Sequence, residues 1–279
     1  MKLARKICVL LLFASFFYCE SKIISTDKID DIEAEFAQAD NETLVAFDCD
    51  AVLVEFCDNI LKHPNRKKIL ISDYIKESKT EKSKKEEIVF YKSILWNDAK
   101  RELLSKEWPR LIMVLQSRGV KTLLLSACGG VKDPKIVKST SEHRYKMLSK
   151  FGIDFKKSWP TLNKIIFSNF TGANARQEKD LPIFENGMLL SRNAAKGDVL
   201  KAFFAKIPQY KFKKIIFIDN SLNNVELVGK AAKDLGIEYV GVEYTRAKTQ
   251  KLPPLNMKKA KKQFEVLVRE RRWPSENEV

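Results

Sequence analysis

The sequence predicts an α/β fold in which helices on both faces doubly wind a parallel sheet. Three observations carry that reading. Apolar runs such as "TLVAF" (43–47), "KKIIFIDN" (213–220) and "IEYVGVEY" (237–244) lack polar alternation, as strands buried on both faces do. Helix-length stretches separate them. Polar residues suited to chemistry stand at the ends of these runs, the edge where open α/β sheets bind ligands.

The chain begins "MKLARKICVLLLFASFFYCESK": a basic start (Lys2, Arg5, Lys6), an apolar run from Ile7 to Cys19, then small and polar residues. This is the three-part shape of a secretory signal peptide, assigned to residues 1–21 with cleavage near Cys19 to Ser21. The run is shorter than the roughly 20 apolar residues that a membrane span needs. The bulky Tyr18 ahead of Cys19 disfavours a lipid-modified cysteine. The expectation is an exported protein, periplasmic or secreted, whose folded unit covers residues 22–279.

Next, Ile29, Ile32 and Phe36 share one helical face behind a cap at Thr26, so a helix leads into the strand Thr43–Phe47. Residues 56–105 break the alternation with the charged, helical "KESKTEKSKKEE". A helix over Trp108–Arg118 precedes the strand Val120–Ala127. Residues 129–191 break the pattern again. They hold "HRYKMLSKFGIDFKKSWP", a strand over Leu162–Phe170, and "LPIFENGMLL", where Asn186 and Gly187 signal a hairpin turn. Both segments are expected to form a cap roofing the ligand edge of the sheet. Helices over Ala194–Ala205 and Leu222–Leu235 then alternate with strands at Lys213–Asn220 and Ile237–Tyr244. The tail aligns Met257, Ala260, Phe264 and Leu267 on one side of a basic helix. That helix is expected to pack on the domain, with docking to an anionic membrane or host protein as the alternative.

With 44% hydrophobic and 31% charged residues the composition is globular, and a formal charge of +15 favours anionic partners without choosing among them. Charge alone does not make a nucleic-acid-binding module, and the chain shows no other sign of one. Cys8 and Cys19 fall in the leader. Cys49, Cys57 and Cys128 lack the spacing of a disulfide framework or a zinc site, so burial as small apolar residues is expected, with a Cys57–Cys128 bridge as the alternative. His63 and His143 have no metal or triad spacing and read as surface or satisfied residues. "CGG" at 128–130 lacks the GK[ST] of a nucleotide loop.

The informative residues are Asp48 and Asp50, two apart at the end of "TLVAF". One such Asp is a turn former. Here the pair has company: Ser126 after "KTLLL", Lys196 opening "KGDVLKAFF", and Asp219 with Asn220 after "KKIIFI". A carboxylate attacking a phosphate dianion needs neutralisation, since even two unit charges at 4 Å repel by about 4 kcal/mol at an effective dielectric near 20. Mg²⁺ accepts hard oxygens from one or two carboxylates, and Asp48 and Asp219 can supply them. Lys196 adds a positive charge, and Ser126 can hold phosphoryl oxygens. Asp50 can protonate the leaving oxygen and then activate water.

These residues resemble the haloacid dehalogenase superfamily of phosphotransferases, whose fold is a Rossmann-like doubly wound sheet with cap insertions. "VAFDCDAVL" is similar to its first motif, "LLLSA" to the second, "KGDVL" to the third and "IIFIDNSLNN" to the fourth, in the family's order. More narrowly, the stretch from "RYKML" to "IIFIDNSLNNVE" resembles an exported branch of bacterial proteins of this type. The resemblance implies Asp48 as nucleophile through an aspartyl-phosphate and Asp50 as acid/base. It implies Ser126 and Lys196 on phosphate. Mg²⁺ would be held by Asp48, the Asp50 carbonyl and Asp219, with Asn220 a further candidate. The second acid common in the fourth motif is replaced by Asn220 or Asn223, which lack its charge. The expected activity is Mg²⁺-dependent hydrolysis of a small phosphomonoester. The alternative is a weakly active or inactive relative serving as a binding module or effector toward a host or anionic partner.

Overall fold

The computed structural model describes residues 21–63, 81–128, 133–171 and 181–279. The strands are β1 (Ser21–Thr26), β2 (Thr43–Phe47), β3 (Val54–Phe56), β4 (Arg101–Leu103), β5 (Lys121–Ser126), β6 (Ile165–Ile166), β7 (Ile183–Glu185), β8 (Met188–Leu190), β9 (Lys214–Asp219) and β10 (Glu238–Tyr244). The helices are α1 (Ile29–Phe36), α2 (Glu81–Asp98), α3 (Trp108–Ser117), α4 (Thr140–Ser149), α5 (Lys196–Lys206), α6 (Leu222–Asp234), α7 (Arg246–Thr249) and α8 (Met257–Glu270).

The fold is α/β, built on a mostly parallel sheet of order β1-β10-β9-β2-β5-β8-β7-β6. The strands from β1 across to β8 run parallel, and β7 and β6 close one edge antiparallel. Successive side chains of a strand point to opposite faces. Val45 and Phe47 of β2 therefore enter one core with α1, α3 and α4, while Leu44 and Ala46 enter another with α5 and α6. Phe47, fully buried, meets the Trp108 ring edge-on at 5.6 Å. Burial of such a side chain contributes about 1.5–3 kcal/mol.

The segment 56–105 contributes α2 and β4, which pairs antiparallel with β3 at its start. Part of its charged run, residues 76–80, lies outside the described residues. Ile94 and Leu95 of α2 pack with Ile60 and Leu61 against Ala260, Phe264 and Leu267 of α8. The tail helix thus buries the face expected of it, and Met257 lies partly buried at its start. Asp58, buried at the centre of this contact, accepts hydrogen bonds from the Gln263 amide, the Trp273 indole and the Glu276 backbone N–H.

Other expectations are corrected. Thr26 ends β1 and the cap position of α1 is Lys28, though the Thr26 hydroxyl still accepts from the Lys28 backbone N–H. β1, which includes Ser21 of the assigned leader, is an edge strand the sequence reading missed. The strand expected over Leu162–Phe170 shrinks to Ile165–Ile166 at the opposite edge. The hairpin is present, with Asn186 and Gly187 both at positive φ as a two-residue type I′ loop requires. It belongs to the sheet, because β8 pairs with β5, so that part of 129–191 is not a roof. A Cβ on Gly187 would lie 2.4 Å from the Phe155 carbonyl, which explains the glycine. The three cysteines among the described residues are free: Cys49 and Cys128 are buried as expected, whereas Cys57 is exposed. Gly129 and Gly130 of "CGG" lie outside the described residues.

Candidate active site

Parallel pairing sets the site. Phe47 of β2 is in register with Ile218 of β9, and the Asp48 backbone N–H donates to the Ile218 carbonyl at 2.8 Å. Asp48 and Asp219 therefore leave neighbouring strands at the same carboxyl edge. Phe47 also pairs with Leu124 of β5, so Ser126, 2% exposed, closes the adjacent strand at that edge.

Lys196 arrives from the first turn of α5. Gly197 behind it makes this possible: a Cβ there would lie 2.4 Å from the Leu227 carbonyl of α6. The two helices can approach closely only at a glycine. The Lys196 ammonium donates to Asp48 Oδ1 and to Asp219 Oδ2, each at 2.6 Å, and all three side chains are nearly excluded from water. Burial disfavours the Lys196 charge, yet Asp48 and Asp219 outweigh it and hold its pKa above the ordinary lysine value. Burial pushes the Asp48 carboxyl up, opposed by Lys196 and reinforced by Asp219. With both carboxylates ionised, two negative charges face one ammonium and the buried trio is net negative.

Asp219 is also oriented by the start of the helix that follows its strand. The Ser221 backbone N–H donates to Oδ1 at 2.8 Å, and the Asn224 amide lies 3.2 Å from both carboxylate oxygens. The sequence reading weighed Asn220 and Asn223. Asn223 instead is exposed on α6 and Asn220 is half-buried beside Asp219. The adjacent "NN" was the signal for Asn224, and only the helix phase separates it from Asn223.

Asp50 stands apart from the trio. Both its oxygens accept from the Arg144 guanidinium of α4, at 2.9 and 2.7 Å, and Arg101 Nε of β4 lies 3.8 Å from Oδ1. Such bidentate, charge-assisted pairs are among the strongest hydrogen-bonded contacts. Arg144 is buried while Asp50 is half exposed. Burial works against the Arg144 charge, but Asp50 and nearby thiols outweigh it and hold its pKa well up. For Arg101 burial wins and lowers the pKa, despite Asp50. Neither arginine was foreseen, since an Arg inside "HRYKML" reads as surface. Next to Asp50, Ala51 sits in the left-handed region at φ 63°. A β-carbon makes that conformation costly by about 1–2 kcal/mol.

The donor set fits a hard dication in charge and ligand type. Asp48 and Asp219 supply two carboxylates on one edge, and the net negative trio with its raised Asp48 is what a cation would relieve. Mg²⁺ needs no third acid when water and substrate oxygens complete its shell. Among the described residues no cluster of three or more His, Cys, Asp or Glu side chains forms a metal site.

A family described as "Protein of unknown function (DUF2608)" matches residues 25–278. The chain belongs to that family. The DUF2608 match runs from the end of β1 through both irregular segments and α8. An "Uncharacterized protein" of Rickettsia felis (strain ATCC VR-1525 / URRWXCal2) is 26% identical over 264 residues, covering 88% of this chain and 84% of its own. No solved structure matches. Among the described residues no helix is long and apolar enough to cross a membrane.

Proposed function

We propose that this chain is a phosphohydrolase of the haloacid dehalogenase type, acting on a small phosphomonoester with Mg²⁺ as cofactor. One observation carries the reading: Asp48, Asp219 and Lys196 meet at 2.6 Å contacts on the carboxyl edge of adjacent parallel strands. Ser126 on the next strand end gives phosphoryl oxygens a neutral donor. In this reading the sheet is doubly wound, and α4 with the β3–β4 and α2 segment caps the site. The leader ahead of β1 directs export.

The Asp48 carboxylate attacks phosphorus and the ester P–O bond breaks. Asp50 gives its proton to the departing alkoxide oxygen. Water then attacks the phosphoryl group on Asp48, passing a proton back to Asp50, and phosphate leaves with Asp48 restored. Lys196 and Ser126 hold the phosphoryl oxygens through both steps. Asp48, Asp219 and the Asp50 carbonyl, with Asn220 nearby, would hold Mg²⁺, which would supply charge neutralisation between nucleophile and dianion. Asp50 works only if the Arg144 pair opens as substrate arrives.

That same pair favours a second reading. With both oxygens of Asp50 committed to Arg144 and amides at Asn220 and Asn223, the fold serves as a weakly active or inactive binding module. Release of aryl alcohol from a generic aryl phosphate separates the two. Mg²⁺-dependent turnover that is abolished by chelator and by Asp48→Asn supports the hydrolase. A folded, Mg²⁺-supplied protein without turnover on a broad phosphomonoester panel favours the binding module.

A further inference from the structure

A cleft of about 620 Å³ opens between α4 and the junction of α2 with β4. His143, Lys146 and Lys150 recur at helical spacing along one side of it, and Lys100 and Arg101 stand on the other. The one carboxylate among its described lining residues, Asp98, is already engaged, accepting from the Trp273 backbone N–H at 3.0 Å and the Asn97 amide at 2.9 Å. Among the described residues Lys146 has only a solvent-exposed pair with Glu142, the weakest kind of ion pair. Among the described residues Lys100 and Lys150 have no carboxylate partner.

Arg101 points to a ligand. Its side chain is 3% exposed, its guanidinium lies over the Phe56 ring at 4.4 Å, and its Nη1 reaches the Trp96 carbonyl at 3.4 Å. Nε and Nη2 have no hydrogen-bond partner among the described residues. Buried donors are nearly always paired, and a guanidinium left so costs stability until an acceptor arrives. The same Arg101 stands 3.8 Å from Asp50, so the cleft and the candidate active site share a wall.

The geometry points to a second anion subsite: the cleft takes the distal phosphate or carboxylate of a substrate whose other end is the phosphomonoester. The ligand class is thus a small compound with two anionic groups. The inference rests on the phosphohydrolase reading for what lies at the other end, and its anion binding stands without it. A distal anion accepting from Arg101 would also compete with Asp50 for the guanidinium pair, tying substrate fit to the freeing of Asp50.

The test is calorimetric titration of the chain in chelator, where no turnover is expected, with propane-1,3-diyl bisphosphate and with propyl phosphate. Three proteins are compared: the unaltered chain, Lys146→Ala/Lys150→Ala in the cleft, and Lys258→Ala/Lys262→Ala, which removes equal charge from exposed positions on α8. All four lysines are exposed, so the variants should fold, and thermal unfolding checks this. Expected is bisphosphate binding about tenfold tighter than propyl phosphate, an advantage lost in the cleft variant and kept in the α8 variant. Equal affinity for the two ligands, or equal weakening by both double variants, overturns the subsite. Lysine-dependent bisphosphate binding without Mg²⁺-dependent release of phosphate from the bisphosphate or from a broad phosphomonoester panel keeps the subsite and rejects the hydrolase. Turnover with no such lysine dependence does the reverse.

Discussion

Arg144 holds both carboxylate oxygens of Asp50, across 94 residues of sequence, while Lys196 bridges Asp48 and Asp219 a strand away. The two carboxylates of "DCD" therefore have separate cationic partners. Asp48 is drawn into a buried triad with the neighbouring strand. Asp50 is drawn outward to a helix that the chain forms only after β5.

The Asp50–Arg144 pair is asymmetric, because the guanidinium is buried and the carboxylate is half in water. Asp50→Ala strands a buried charge and is expected to cost roughly 3–5 kcal/mol. Arg144→Met leaves a carboxylate that water can solvate and is expected to cost about 1 kcal/mol. Urea denaturation of the two variants measures the order, and a costlier Arg144→Met would contradict it.

Lys196→Ala leaves two buried carboxylates facing each other without a counter-charge. The expected loss is again roughly 3–5 kcal/mol. Mg²⁺ should restore part of it, since a ligand bound only by the folded state stabilises it by about 2.7 kcal/mol at a hundredfold excess over Kd. Thermal unfolding with Mg²⁺ and with chelator reads both effects. A variant as stable as the parent, or one that Mg²⁺ leaves unmoved, contradicts the account of the triad.

At Ala51 the expected change is a gain. Glycine removes the left-handed penalty of about 1–2 kcal/mol and gives back about 0.4–1 kcal/mol through the freer unfolded chain. Ala51→Gly should therefore raise stability by roughly 0.5–1 kcal/mol, seen as a higher urea midpoint at unchanged slope. A lower midpoint would show that the turn is not strained.

Gly197→Ala tests helix approach. The new methyl would sit 2.4 Å from a backbone carbonyl that cannot rotate away, so α5 must shift and carry Lys196 with it. Overpacking of this kind costs about 1–3 kcal/mol. Turnover should fall further than stability alone explains. Full activity in a folded Gly197→Ala would mean that Lys196 is not held to its position by this contact.

Asp58→Ala should unclasp the tail. It orphans three donors, from Gln263, Trp273 and Glu276, at about 1–3 kcal/mol for each buried group left unpaired. Trp273 emission should move to the red, and limited proteolysis should cut within α8 while the sheet survives. An unchanged digest would show that α8 is held by its apolar face alone.

The central strands were legible because β2, β5, β9 and β10 are buried on both faces, and burial writes itself as an uninterrupted apolar run. Edge strands carry no such mark. "SKIIST" is mostly exposed and follows an apolar leader-like run, so β1 was missed, while the apolar character of "LNKIIFSNF" overstated a two-residue edge strand. The site divided in the same way. Asp48, Ser126, Lys196 and Asp219 sit at element boundaries and could be read from position. Arg101 and Arg144 are buried among neighbours that include residues distant in sequence, such as the Trp96 ring 5.5 Å from the Arg144 guanidinium, and one-dimensional patterns record no such contact.

Because β1 runs parallel to β10, Ser21 enters the sheet at the amino ends of the strands, the edge opposite Asp48 and Asp219. A chain immobilised or fused through that residue would have its attachment point on the far side from the reacting groups. An amino-terminal purification handle or surface tether just before Ser21 should therefore leave diffusion of small anions to the carboxyl edge unobstructed, which makes this the end of choice for display or sensor formats.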